Sequence, residues 1–289
     1  MKKILLALAV AMILPTTSCT RSDDEQTADG PAPRDTMQQM TIHFTFPMMA
    51  TSVRPMTRST LADAQMADLW LFDYMDGTLA NTIHQSSEDA GFGTVSLQAD
   101  YGSHQLYFVA SRGTTPSVSA TAITWVKPSD TFWGSLAIDV APGMSSTQSV
   151  ALARVATRLR IAVTDEVPAT LAQFAITPAH WYYGLDYTTG EPVGDQQTAR
   201  TIDVPSSYIG TTGQLAMNIY GLCPATDYTT DVAVSALTQD GSPLATLTLS
   251  DVPLRRNRVT SYSGQLFGHA GMLTVTLNDA WEDDLTVSW

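Results

Sequence analysis

The chain has 289 residues, with 28 acidic against 15 basic side chains and a net charge of −13. That balance excludes nucleic acid as a partner, because phosphate binding needs a basic surface. Its 2 cysteines exclude a disulfide scaffold, unless Cys19 pairs with Cys223, and the length is enough for two ordinary domains without such a staple.

The first segment, 1–18, reads as a signal peptide. Lys2 and Lys3 form a charged start, and Ile4–Leu14 is an apolar run too short to span a bilayer. Thr16, Thr17 and Ser18 lead into Cys19. This site resembles that of bacterial lipoproteins, which are cut just before such a cysteine and acylated on it. Thr16 departs from the pattern, standing where Leu, Val or Ile is usual; the alternative is a plain signal peptide cut near Ser18. Each buried lipid methylene contributes about 0.8 kcal/mol, so two or more chains on Cys19 would anchor the protein stably. Cleavage removes two lysines, and 13 basic against 28 acidic residues give the remaining chain a net charge of −15.

Residues 19–37 read as a disordered tether, since Thr20–Asp35 has no large apolar residue. Asp23, Asp24 and Glu25 resemble a short acidic signal for export to the outer face of the outer membrane. The expected location is therefore the cell outer membrane, lipid-anchored and surface-exposed, with its periplasmic face as the alternative.

The remainder reads as all-β. Alternation marks strands in "TIHFTF" (Ile42, Phe44, Phe46), "TRLRIAVT" (Leu159, Ile161, Val163) and "MLTVTL" (Leu273, Val275, Leu277). Asp76-Gly77 and Asp240-Gly241 each sit between two such runs and predict tight hairpins. The one helical candidate is Thr60–Trp70. Many short strands without interleaved helices imply antiparallel sandwiches, and the strand number suits two. The expected division is 38–155 and 156–289.

No catalytic constellation is legible. The histidines (His43, His84, His104, His180, His269) are scattered without metal-ligand spacing. Cys223 reads as a small buried hydrophobe. Asp186, Glu191 and Asp195 do not match a calcium-loop spacing and read as an acidic surface loop. Enzymatic activity, a metal and a cofactor are therefore not expected. Two aromatic groups, Trp125 with Phe132 and Trp133, and Trp181 with Tyr182 and Tyr183, could stack on a glycan if exposed. Adjacent strand residues face opposite ways, so at least one of each adjacent pair belongs to the core. The arginines Arg158, Arg160, Arg255, Arg256 and Arg258 read either as partners of surface carboxylates or as a positive seam between domains or subunits.

Several phrases recur in a recognisable order: "LWLFDYMDGTL", "HQLYFVASRG", "KPSDTFWG", "VALARVATRLRIAVTDEVP" and "PLRRNRVTSYSGQLF". Behind a lipoprotein signal, this order resembles the fimbrillin-like proteins of type V pili, and within them the anchor-type fimbrial subunits. The resemblance covers the chain from residue 38 onward. It implies two tandem transthyretin-like β-sandwiches, a role in assembly, and other fimbrial subunits as partners. Such subunits assemble by strand addition. Stalk subunits lose lipid and first strand to a protease that cuts after an arginine, whereas anchor subunits keep both. Here the candidate cleavage sites are Arg54 and Arg58; Pro55 restrains the backbone after Arg54, which makes Arg58 the easier one. The C-terminal "GMLTVTLNDAWEDDLTVSW" is a candidate donor strand. A host or glycan adhesion target is a further expected partner, and the alternative function is a glycan-binding surface lipoprotein of a nutrient uptake system.

Overall fold

The computed structural model describes residues 37–45, 66–143, 147–268 and 273–278, all within one compact unit, Thr36–Trp289. The signal peptide, Cys19 and the tether up to residue 36 lie outside the described residues. Met37, assigned to the tether above, is the first residue of a strand.

In chain order the first strands are β1 (Met37–Thr45), β2 (Asp68–Met75), β3 (Thr78–Ser86), β4 (Thr94–Asp100), β5 (Gly102–Ser111), β6 (Ser117–Val118), β7 (Ala122–Thr124), β8 (Thr131–Val140), β9 (Thr147–Ala151) and β10 (Ala153–Arg154). Asp68–Trp70 are thus strand, not helix, and Thr60–Gln65 lie outside the described residues. Asp76 and Gly77 both adopt positive φ (51° and 75°), the conformation a two-residue hairpin turn requires, and join β2 to β3. One sheet has the order β4-β1-β9 and another β10-β8-β5-β2-β3. They bury Met40, Val95, Leu97 and Val150 against Leu69, Leu71, Leu106 and Phe108.

The chain continues through β11 (Ala156–Val163), β12 (Gln173–Pro178), β13 (Tyr182–Asp186), β14 (Glu191–Asp195), β15 (Arg200–Asp203), a 3-10 turn at Ser206–Tyr208, β16 (Leu215–Leu222), β17 (Tyr228–Leu237), β18 (Pro243–Leu254), β19 (Val259–Gly264) and β20 (Leu273–Asn278). The third sheet runs β20-β19-β11-β16-β13-β7-β6, with β14 on β13, and the fourth runs β15-β12-β17-β18. Leu159, Ile161 and Val163, the alternating set of β11, pack with Met217, Ile219 and Tyr262 against Phe174, Ile176, Val232 and Val234. The stretch containing Asp186 and Glu191 is not a loop but the β13–β14 hairpin. The Asp186 carboxylate caps its turn by accepting from the Thr188 amide (2.9 Å) and hydroxyl (2.6 Å).

Two features depart from a purely antiparallel, cleanly divided chain. β1 runs parallel to β9, and β11 runs parallel to β19. In both sandwiches the first strand therefore lies between one antiparallel and one parallel neighbour. In addition, the β6–β7 hairpin, which precedes the expected division, pairs with β13 of the third sheet.

A third apolar cluster joins the two sandwiches. Phe72 and Val109, on the outer face of the second sheet, meet Ile123, Leu185, Tyr187 and Leu222. The Phe72 and Tyr187 rings stack at 3.7 Å, 5° from parallel. The Trp133 indole donates to the Tyr187 carbonyl (2.8 Å). Arg154 spans the same junction: its guanidinium grips Asp130 (Nε–Oδ1 2.7 Å, Nη2–Oδ2 3.2 Å) and donates to Asn257 Oδ1 (2.7 Å). Arg255 and Arg256 likewise pair with Asp227 (2.9 Å) and Glu191 (3.2 Å), so carboxylate pairing accounts for these arginines.

Phe72 is fully buried. Phe72→Ala should cost about 3–5 kcal/mol, the usual range for a buried aromatic, read as a lowered urea midpoint. A loss below about 1 kcal/mol would show that the junction contributes little.

Candidate functional site

Every strand needs partners for its backbone groups, and β1 has them on both sides. It pairs with β4 over seven residues, Met37↔Asp100 to His43↔Thr94. On its other side it pairs with β9 over five, Thr41↔Thr147 to Thr45↔Ala151. β4 and β9 are each hydrogen-bonded to β1 and not to one another: the sheet order is β4-β1-β9. Met40 is fully buried, and Val95, Leu97, Ala99 and Val150 line the slot from the flanking strands. Removing β1 would leave two ladders unpaired and a row of apolar side chains open to water, which is the acceptor geometry of strand addition.

Covalently, β1 is tied to the rest of the fold through residues 46–67. Arg54 and Arg58 belong to that connection and lie outside the described residues. A single cut there would leave β1 attached only to the N-terminal segment that carries Cys19.

The opposite end of the chain is an edge. β20 pairs with β19 over six residues, Val259↔Asn278 to Gly264↔Leu273, and has no second neighbour among the described residues. The approach to it is pinned by Asp165. Its carboxylate accepts from the amides of Leu266 (3.0 Å), Phe267 (2.5 Å) and Gly268 (2.9 Å). Burial alone would raise the titration of this carboxyl, but the three amide bonds outweigh burial and lower it from the ordinary value of 3.8. The rest of the proposed donor segment, beyond Asn278, lies outside the described residues.

The two aromatic groups form no exposed platform, as expected for rings of which at least one in each adjacent pair belongs to the core. Trp125, Phe132, Trp181 and Tyr183 are buried, and Trp133 and Tyr182 are half-buried against the junction. Trp181 donates its indole N–H to the Tyr220 carbonyl (2.9 Å) and packs flat on Gly221, where an added Cβ would come within 2.5 Å of the ring. Arg158, read above as a partner of surface carboxylates or part of a positive seam, is buried with its guanidinium over the Tyr220 ring. Cys223 is buried and its thiol is pushed up to about 12, mainly by burial. Among the described residues no group of three or more His, Cys, Asp or Glu side chains is placed to hold a metal ion.

Residues 120–288 match the model of a family described as of unknown function, DUF6562. The chain belongs to this family. No curated protein matches it. Three crystal structures of Bacteroides proteins share its fold. A candidate polysaccharide-binding protein of the DUF1812 group from Bacteroides thetaiotaomicron is 10% identical, with a TM-score of 0.53 over 84% of this chain and 98% of that one. A candidate adhesin from Bacteroides ovatus is 13% identical, with a TM-score of 0.50 over 85% and 95%. Another from the same species is 6% identical, with a TM-score of 0.51 over 73% and 82%. At these identities the likeness is one of fold: the DUF6562 chain shares its β-sandwich architecture with them over 82–98% of their lengths.

Two predictions follow the strand geometry. Met40→Asp places a carboxylate without a partner in the apolar slot, which is costly to bury. Hydrogen exchange should then lose protection at Val95–Ala99 of β4, while the β11–β16 pair keeps its own; equal loss in both would contradict an independent slot. For Asp165, a carboxyl whose titration is lowered by folding contributes stability that is full above 3.8 and fades as pH falls through the depressed value. The amides of Leu266, Phe267 and Gly268 should therefore exchange faster as pH falls through this range, after correction for intrinsic rates. Asp165→Asn should raise their exchange at neutral pH and remove that dependence.

Proposed function

We propose that this chain is a fimbrial subunit of anchor or accessory type, held by lipid on Cys19 at the surface of the outer membrane. The observation that carries the reading is the position of β1: the N-terminal strand closes the slot between β4 and β9, and it is the strand that leads back toward Cys19. A subunit whose slot is filled by its own strand cannot accept another there. It can still donate one, and β20, bound along one edge, is the strand that leaves at the cost of a single ladder. Such a subunit ends a fibre rather than extending it, which is the task of an anchor. The candidate adhesins among the structural relatives support a surface role on the same architecture. A pairing between subunits made by backbone bonds also needs no catalytic group, in keeping with the absence of a catalytic constellation from the sequence.

The alternative, a glycan-binding lipoprotein of a nutrient uptake system, drew on the aromatic runs at Trp125–Trp133 and Trp181–Tyr183, and most of those rings are inside the protein.

Intact-mass analysis and N-terminal sequencing of the protein purified from outer membranes test the reading. The expected N-terminus is an acylated Cys19. A free N-terminus at Pro55 or Ser59 would overturn the anchor role and make the chain a processed stalk or tip subunit.

A further inference from the structure

Alternation along the second sheet places Tyr74 of β2, Gln105 and Tyr107 of β5, and Ala137 and Asp139 of β8 on its outer face. The same face passes under the second sandwich at Phe72 and Val109, then emerges from it. Where it emerges, cross-strand neighbours run Tyr74–Gln105–Ala137 in one row and Ser103–Asp139 in the next. Ala137 is small and exposed, so the rows are hollow in the middle. A cavity of about 420 Å³ results, bounded by the two tyrosines, Gln105, Asp139 and the Asp76 turn. Its volume lies within the roughly 300–1,000 Å³ of small-ligand sites.

The walls are rigid, and most of the polar groups are free; the Asp139 carboxylate accepts one hydrogen bond, from the Ser103 hydroxyl, through Oδ1. The Tyr74 hydroxyl donates to the Ala120 carbonyl (2.9 Å), which fixes its ring to the junction. Tyr107 stands 5.7 Å from it, 78° from parallel. Behind the floor, buried His104 bonds Asp73 (Nδ1–Oδ1 2.7 Å) and the Asp100 carbonyl (Nε2–O 2.9 Å), and Asn81 donates to Asp73 (2.9 Å). β2, β3 and β5 are thereby locked together. By contrast, the side chains of Gln105, Tyr107 and Asp76 make no hydrogen bond to another described residue. Burial, then Tyr74 and Asp186, raise the titration of Tyr107, so its hydroxyl stays neutral.

The lining selects the chemistry. It holds two carboxylates and no lysine or arginine, in a chain of net charge −13, so an anionic ligand is repelled. Asp76 and Asp139 are exposed, and an exposed ion pair gains only about 0–1 kcal/mol, too little to hold a cation by charge alone. An amide, a phenol and two carboxylate acceptors beside aromatic rings instead match a sugar, whose C–H face packs on a ring while its hydroxyls donate to the acceptors.

We propose that this groove binds a neutral glycan, with a sugar ring against Tyr107 and its hydroxyls bonded to Gln105, Asp139 and Asp76. This goes beyond the assembly reading and does not depend on it.

The full chain, purified in detergent, is applied to an array of neutral, sialylated and sulfated oligosaccharides and to an oligolysine peptide. Binding should be confined to neutral glycans. It should fall at least tenfold in Tyr107→Ala and in Ala137→Trp. The second variant fills the hollow from an exposed position and removes no packing contact, so it should also keep the wild-type melting temperature. Absence of neutral-glycan binding, preference for anionic glycans, capture of oligolysine instead, or unchanged binding by Ala137→Trp would each overturn the proposal. Incorporation into fibres is scored in parallel. A wild-type chain that joins fibres but binds no glycan overturns the groove alone, whereas one that binds glycan but never joins fibres overturns the assembly reading alone.

Discussion

The backbone of β1 pairs with two strands that have no other strand partner among the described residues. β4 and β9 flank a strand-wide slot, and only an extended segment offering donors and acceptors on both edges can fill it. The first sandwich depends on that filling: Met40 completes a core that Val95, Leu97, Ala99 and Val150 would otherwise expose. The same requirement is indifferent to where the strand comes from. A strand of this chain or of another meets it equally, provided the register places an apolar residue opposite Leu97. On the assembly reading proposed above, structural integrity and assembly competence are two outcomes of one hydrogen-bonding constraint.

The second sandwich repeats the arrangement with a different outcome. β11 also lies between an antiparallel and a parallel neighbour, but it is paired over eight residues with β16 and six with β19, and it follows the first sandwich without a long connection. It cannot be released without dismantling the chain. The junction reinforces this asymmetry. Phe72 and Tyr187 stack across it and Arg154 bridges Asp130 and Asn257, so the two sandwiches are a single body in which β1 is the middle strand of the first sheet. The far face of the β2–β5–β8 sheet, left partly uncovered by that junction, is where the glycan groove forms.

Much of the local structure was legible from residue patterns. Period-two alternation identified β1, β11 and β20, and the two Asp-Gly pairs marked the β2–β3 and β17–β18 hairpins. Pairing between distant strands was not legible, because a period of two says which face a residue takes and nothing about its neighbour. The parallel β1–β9 and β11–β19 pairs, and the insertion of β6–β7 into the third sheet, arise from such contacts. The aromatic runs were only partly legible for a related reason. Alternation sends Phe132 inward and Trp133 outward, but the outer face of that sheet is itself partly covered by the second sandwich, so neither ring is a free platform. Tyr74, Gln105 and Tyr107 were overlooked because they come together only through the β2–β5 register, and Asp165 because its partners lie about a hundred residues further along the chain.

On the anchor reading proposed above, β1 stays in its own slot in the working protein. Thr41 and Ser96 are register partners in the β1–β4 ladder, half-buried and exposed respectively, so Thr41→Cys with Ser96→Cys can be oxidised to lock β1 in place. Cys223 is buried, with its thiol pushed up to about 12, and does not compete. The locked double variant should join fibres as well as its reduced form. Loss of incorporation on oxidation, restored by reduction, would show that β1 must leave and would contradict the anchor reading.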